Sequence, residues 1–144
     1  MHPYPHRYTV AASSGATGEV TLTSPGLPAL VSAPPVEFDG PGDRWSPETL
    51  LCAALADCFL LTLRAVARAA KLEWRSLEIT VEGTLDRPEK ASYFTGFTVR
   101  ARLAVPAGVA VERWKSLLEK AEKGCLISGS LVGTKRLEAE VIVG

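Results

Sequence analysis

The sequence predicts an α+β fold with antiparallel sheets and one long helix, and two observations predict it. Residues 46–72, SPETLLCAALADCFLLTLRAVARAAKL, place apolar side chains so densely at helical spacing that a single helix of many turns follows. Residues 77–86 (LEITVEGTLD), 94–105 (FTGFTVRARLAV) and the terminal LEAEVIV instead alternate apolar and polar residues and are rich in β-branched side chains. That period of two is the mark of half-buried strands.

Each element has its own local reason. Residues 7–23 alternate weakly around a cluster of turn formers at 13–18, which predicts a β-hairpin. Residues 27–38 carry Pro28, Pro34 and Pro35, so a strand there is short or lies at an edge. DGPGDRW, residues 39–45, is a Gly/Pro loop that delivers the chain to the long helix. Ser46 is its N-cap, Pro47 suits the first helical position because its missing N–H needs no partner, and Glu48 puts a carboxylate at the positive end of the dipole.

At about 100° per residue, the face of Cys58 carries Leu51, Ala54, Leu55, Leu61, Thr62, Ala65 and Ala69, with Phe59, Leu63 and Val66 on its flank. Only a narrow sector with Asp57, Arg64, Arg68 and Lys71 is polar. A helix this apolar is expected to be buried on most sides, within its own domain or against a second subunit. Downstream, RPEKASY turns between two strands, and Pro106 and Gly108 end the second. Val111, Trp114, Leu117, Leu118 and Ala121 mark an amphipathic helix that stops at Gly124. LISGSL reads as a short helical turn before the last strand.

Composition narrows the class of function. A chain of 144 residues fits one domain, with residues 1–6 expected as a mobile tail. Sixteen basic and sixteen acidic residues balance, which argues against nucleic acid or an anionic membrane as partner. Asp57, Arg64 and Arg68 interrupt the apolar helix and the N-terminus has no apolar signal region, so a soluble cytoplasmic protein is expected. Three cysteines without framework spacing suit a reducing compartment. No phosphate loop, nucleophile elbow or dinucleotide fingerprint is present, and no cofactor is expected.

Metal binding is disfavoured by geometry: Cys52 and Cys58 diverge by about 120° on a helix, and His2 and His6 lie in the tail. The same two histidines leave a serine hydrolase without its base. Thiol chemistry remains. Cys52 reads as a core filler, since free cysteine is commonly a small buried hydrophobe. Cys125 follows a helix-ending glycine and precedes a polar Ser-Gly-Ser run, so it lies where two elements meet. Against the long helix it can face Cys58.

SPETLLCAALADCF, with AEKGCLIS 67 residues further on (125 − 58), resembles the OsmC/Ohr family of osmotically induced and organic hydroperoxide resistance proteins. The element order from Tyr8 to Val143 is similar too. The resemblance implies an intertwined homodimer, two central helices wrapped by antiparallel sheets, with sites at the subunit interface. It implies a thiol peroxidase for organic hydroperoxides, with Cys58 the peroxidatic thiol and Cys125 the resolving one. Glu48 would match the carboxylate that orients a catalytic arginine, and an external dithiol, in the family a lipoylated protein, would reset the disulfide.

Two positions depart from that pattern. Ala16 in SSGATGEV stands where peroxidase members carry the arginine, and Leu126 stands where proline is usual. An ordinary cysteine, of pKa about 8.5, is only a few per cent thiolate at neutral pH, and burial lowers that fraction. Cys58 is therefore expected to need a cation, because Glu48 alone would oppose its ionisation. Arg44, folding back over the helix entrance, is the nearest substitute and Arg7 a weaker one. The alternative function is a non-catalytic OsmC-like dimer that binds small apolar molecules or senses redox state through its thiols.

Overall fold

The computed structural model describes residues 1–144. Its elements are β1 (Ala11–Ser13), β2 (Val20–Thr23), β3 (Leu30–Ser32), a 3-10 turn (Val36–Phe38), α1 (Pro47–Ala69), β4 (Ser76–Asp86), β5 (Tyr93–Val105), α2 (Val111–Gly124), α3 (Leu126–Ser130) and β6 (Thr134–Val143). They form two compact units, Met1–Leu50 and Leu51–Gly144.

In the first unit the expected hairpin gains a third strand. β1, β2 and β3 lie in that order, all antiparallel, with Ala12 opposite Leu22 and Leu22 opposite Leu30. β3 is short and at the edge, as its flanking prolines require. Beyond it the chain doubles back on itself. A Cβ at position 40 would lie 1.7 Å from the Pro34 carbonyl oxygen, so only glycine fits there. The Ala33 N–H then donates to the Trp45 carbonyl at 2.8 Å, which fixes the approach to the helix. Ser46 and Thr49 cap it reciprocally: the Thr49 N–H donates to Ser46 Oγ at 3.1 Å and the Ser46 N–H to Thr49 Oγ1 at 2.8 Å. Two of the amides that a helix start leaves orphaned are thereby satisfied.

In the second unit the sheet order is β4-β5-β6. β4 pairs antiparallel with β5, with one irregularity at Thr84/Leu85, but β6 runs parallel to β5. The expectation of antiparallel sheets is corrected here to a mixed sheet. The reason lies in the connection: α2 and α3 carry the chain back along the sheet between β5 and β6, and a helical crossover of that length returns a strand in the same direction.

The core follows from three periodicities. β5 buries Phe97, Val99, Ala101, Leu103 and Val105 at period two; α1 contributes Leu55, Phe59, Leu63 and Ala67; and α2 contributes Trp114, Leu118 and Ala121. Cys125 continues the α2 stripe and is buried with it. The other sheet face is charged, with Arg100 to Glu138 at 3.0 Å and Arg102 to Glu140 at 3.6 Å. Such exposed pairs contribute at most about 1 kcal/mol each, so the apolar face carries the stability.

α1 is less enclosed than its sequence implies. One stripe at four-residue spacing is fully buried, while Ala54, Leu61, Ala65 and Ala69, expected on a buried face, are exposed in the single chain. Despite Asp57, Arg64 and Arg68, the helix is also long and apolar enough to cross a membrane by length and composition alone.

Candidate functional site

Cys58 sits in the middle of α1, beside the fully buried Phe59, and is itself half-buried. Cys125 is the single residue between α2 and α3 and is only 2% exposed. It serves as N-cap of α3 with extended backbone (φ −69°, ψ 112°). Its carbonyl accepts the Gly129 N–H at 3.0 Å, so the first three N–H groups of α3 have no helical acceptor. The backbone of Ile127, and less so that of Leu126, favours the Cys58 thiolate, and the backbones of Ser128 and Ile127 favour that of Cys125. The two thiols influence each other's ionisation, and both are free rather than bridged.

This arrangement makes the thiols unequal. For Cys58, burial pushes the thiol up, but the Ile127 N–H, the Cys125 thiol, Thr62 and the Leu126 N–H together outweigh it, and the net effect is downward. For Cys125, burial again pushes up; the Ser128 N–H opposes it, but the neighbouring Cys58 adds to the rise, to about 11. Of the two, Cys58 is therefore the thiol that ionises first.

Thr62 lies one turn beyond Cys58, with Oγ1 4.0 Å from the sulfur and 2.7 Å from the Cys58 carbonyl oxygen, to which it donates. A hydroxyl has one proton, and the closer carbonyl holds it. All the groups that lower the Cys58 thiol are neutral.

The helix entrance also differs from expectation. Arg44 does not fold over onto Glu48: its guanidinium pairs with Glu19 at 2.8 Å and with Asp43 at 3.5 Å. Glu48 Oε2 is buried with no hydrogen-bond partner. Ala16 lies exposed in the turn between β1 and β2. Cys52 packs where β4 passes closest: its sulfur would be 2.8 Å from a Cβ at Gly83, and burial raises its thiol, opposed by the Gly83 backbone.

Residues 40–140 match the family model of OsmC-like proteins. The chain belongs to the OsmC-like family. Among its relatives is YmaD of Bacillus subtilis (strain 168), 29% identical over 142 residues, covering 96% of this chain and 94% of that one. The organic hydroperoxide resistance protein of Xanthomonas axonopodis pv. citri is 30% identical over 122 residues, 85% and 84% of the two chains. A solved structure of an organic hydroperoxide resistance protein OsmC from Legionella pneumophila superposes with a TM-score of 0.76 at 27% identity, covering 97% of this chain and 99% of that one.

For this OsmC-like protein, sequence reasoning singled out the two cysteines and missed the groups around them. Thr62 was visible as the residue four after Cys58 on a helix. Leu126 stood out only as a departure from a motif, and Ile127 carried no signal, because their contribution is a main-chain N–H that no side-chain pattern encodes.

Proposed function

We propose that this OsmC-like protein is a thiol-dependent peroxidase that reduces organic hydroperoxides through Cys58 and Cys125. The observation that carries the reading is the unequal thiol pair, Cys58 shifted down and the buried Cys125 shifted up. The names of the Xanthomonas and Legionella relatives support the substrate class. The Cys58 thiolate attacks the terminal peroxide oxygen, the O–O bond breaks, and a sulfenic acid forms on Cys58 while the alkoxide takes a proton to leave as alcohol. Cys125, once deprotonated, attacks the Cys58 sulfur and displaces hydroxide, which leaves as water. The resulting disulfide returns to two thiols at the expense of an external dithiol, for which a lipoylated protein is our proposal.

The reading does not lean on Arg44, which is engaged by Glu19, nor assign Glu48 a step. It does include a second copy of the chain: the exposed Leu61 and alanine positions of α1 form an apolar surface that a homodimer would cover, in a soluble, cytoplasmic protein. Sedimentation at micromolar concentration tests this, with a monomer as the result against it. Peroxidase function is tested by following cumene hydroperoxide loss with a dithiol reductant. Turnover that disappears in Cys58→Ser is expected. Absence of any consumption favours instead the non-catalytic reading, an apolar binder or thiol sensor, to which the unpartnered Glu48 carboxylate already lends support.

A further inference from the structure

We propose that Glu122 is a positioning residue for Cys125: its carboxylate grips the Ser128 hydroxyl and so holds the turn that carries this cysteine in place for a disulfide with Cys58. The inference rests on the proposed peroxidase for its use in turnover, and goes beyond that reading by naming what orients the resolving thiol. Cys125 ends α2 and begins α3, and its own side chain makes no cap bond there. Gly124 and Gly129 bracket residues 125–128, and glycine loses the most backbone freedom on ordering, so this turn needs ties from elsewhere.

Two ties converge on Glu122. Its carbonyl accepts the Cys125 N–H at 3.3 Å, and its carboxylate Oε1 accepts the Ser128 hydroxyl at 2.8 Å. The second is the side-chain hydrogen bond that joins α2 to α3. Ser128 is only 5% exposed, so water competes little for its hydroxyl, and a bond to a carboxylate belongs to the stronger, charge-assisted class. The clasped turn lies against α1 beside Cys58. A Cβ at Gly124 would be 3.6 Å from Thr62 Cγ2, and Thr62 Oγ1 is 4.0 Å from the Cys58 sulfur. A disulfide accepts only a narrow range of separations and dihedral angles. A turn free to swing must be ordered when that bond closes, whereas a turn already clasped is ordered beforehand.

The test is the equilibrium of the chain with reduced and oxidised glutathione. The Cys58 and Cys125 thiols together give two electrons and two protons to oxidised glutathione, which leaves as two reduced glutathiones. Peptide mass spectrometry of quenched, alkylated samples measures the fraction bridged, and hence the effective concentration of one thiol for the other. Glu122→Ala and Ser128→Ala should each lower it by about tenfold, equivalent to about 1.4 kcal/mol. The double variant should lose no more than either, because both remove the same bond. Glu122→Gln keeps an oxygen acceptor and should recover most of the loss. An unchanged effective concentration in both single variants overturns the proposal, even where reduced-state unfolding shows them less stable. Losses that add in the double variant overturn it too, as does a wild-type chain in which Cys58 and Cys125 never bridge. Should Ser128→Ala fail to fold, the half-buried Glu122 still decides: equal values for Glu122→Ala and Glu122→Gln overturn the proposal. No peroxide enters this equilibrium. A clasp-dependent disulfide in a chain inert to cumene hydroperoxide rejects the peroxidase and leaves the positioning role standing, and peroxide turnover with a clasp-independent disulfide does the reverse.

Discussion

Limited alkylation with iodoacetamide at pH 8 should label Cys58 well before Cys125. Cys125, pushed up to about 11, is ionised to roughly one part in a thousand at that pH, whereas the Cys58 thiol is shifted downward and is the more ionised of the two. Intrinsic nucleophilicity runs the other way, since a more basic thiolate attacks faster, but with a Brønsted coefficient of about 0.4–0.5 it returns only about half of the population difference on a logarithmic scale. A net preference for Cys58 remains, and the burial of Cys125 (2% exposed) adds to it. Quantifying each modified cysteine by peptide mass spectrometry measures the ratio. The coupling gives a second sign to check: in Cys58→Ser, Cys125 loses the neighbour that helps hold its thiol up and should alkylate faster than in the wild-type chain, while staying slow because burial persists. Equal labelling of the two cysteines, or faster labelling of Cys125, would refute the assignment of charge within the pair.

Arg44→Ala should cost less than about 1 kcal/mol in denaturant unfolding, because its pair with Glu19 is exposed, and should leave the Cys58 alkylation midpoint in place. An upward move of a full pH unit would make Arg44 the cation after all. Gly83→Ala should destabilise by about 1–3 kcal/mol, since the new methyl lands 2.8 Å from Cys52 Sγ and 2.9 Å from Phe94 Cε1; adding Cys52→Ala should recover part of the loss, and no recovery would place the clash elsewhere. Leu63→Ala, at a fully buried position of α1, should cost about 2–5 kcal/mol, and a loss below 1 kcal/mol would mean that the α1 stripe is not core.

The long helix was legible because its apolar period, its cap and its first-turn Pro-Glu all agree, and β4, β5, α2, α3 and β6 appear at or within a few residues of their expected places. Pairing direction was not legible. LEAEVIV has the same alternation whether it meets β5 parallel or antiparallel, and only the route of the chain through α2 and α3 decides. The sidedness of α1 was hidden for a related reason: Ala54, Leu61 and Ala65 are as apolar as Leu55 and Phe59, so composition does not say which of them face the sheet. At the site, the cysteines were readable as residue types at a spacing. Arg44 was read as a substitute cation from proximity along the chain, but it found Glu19 instead, 25 residues away in sequence and adjacent in space.

Identifying the bond formed after peroxide treatment tests the central claim most directly. The reduced chain is exposed to one equivalent of cumene hydroperoxide, free thiols are capped, and non-reduced peptides are mapped. A Cys58–Cys125 disulfide is expected, with Cys52 capped as a free thiol, and Cys125→Ser should arrest the reaction at oxidised Cys58. Recovery of both Cys58 and Cys125 as free thiols after excess peroxide would contradict the account.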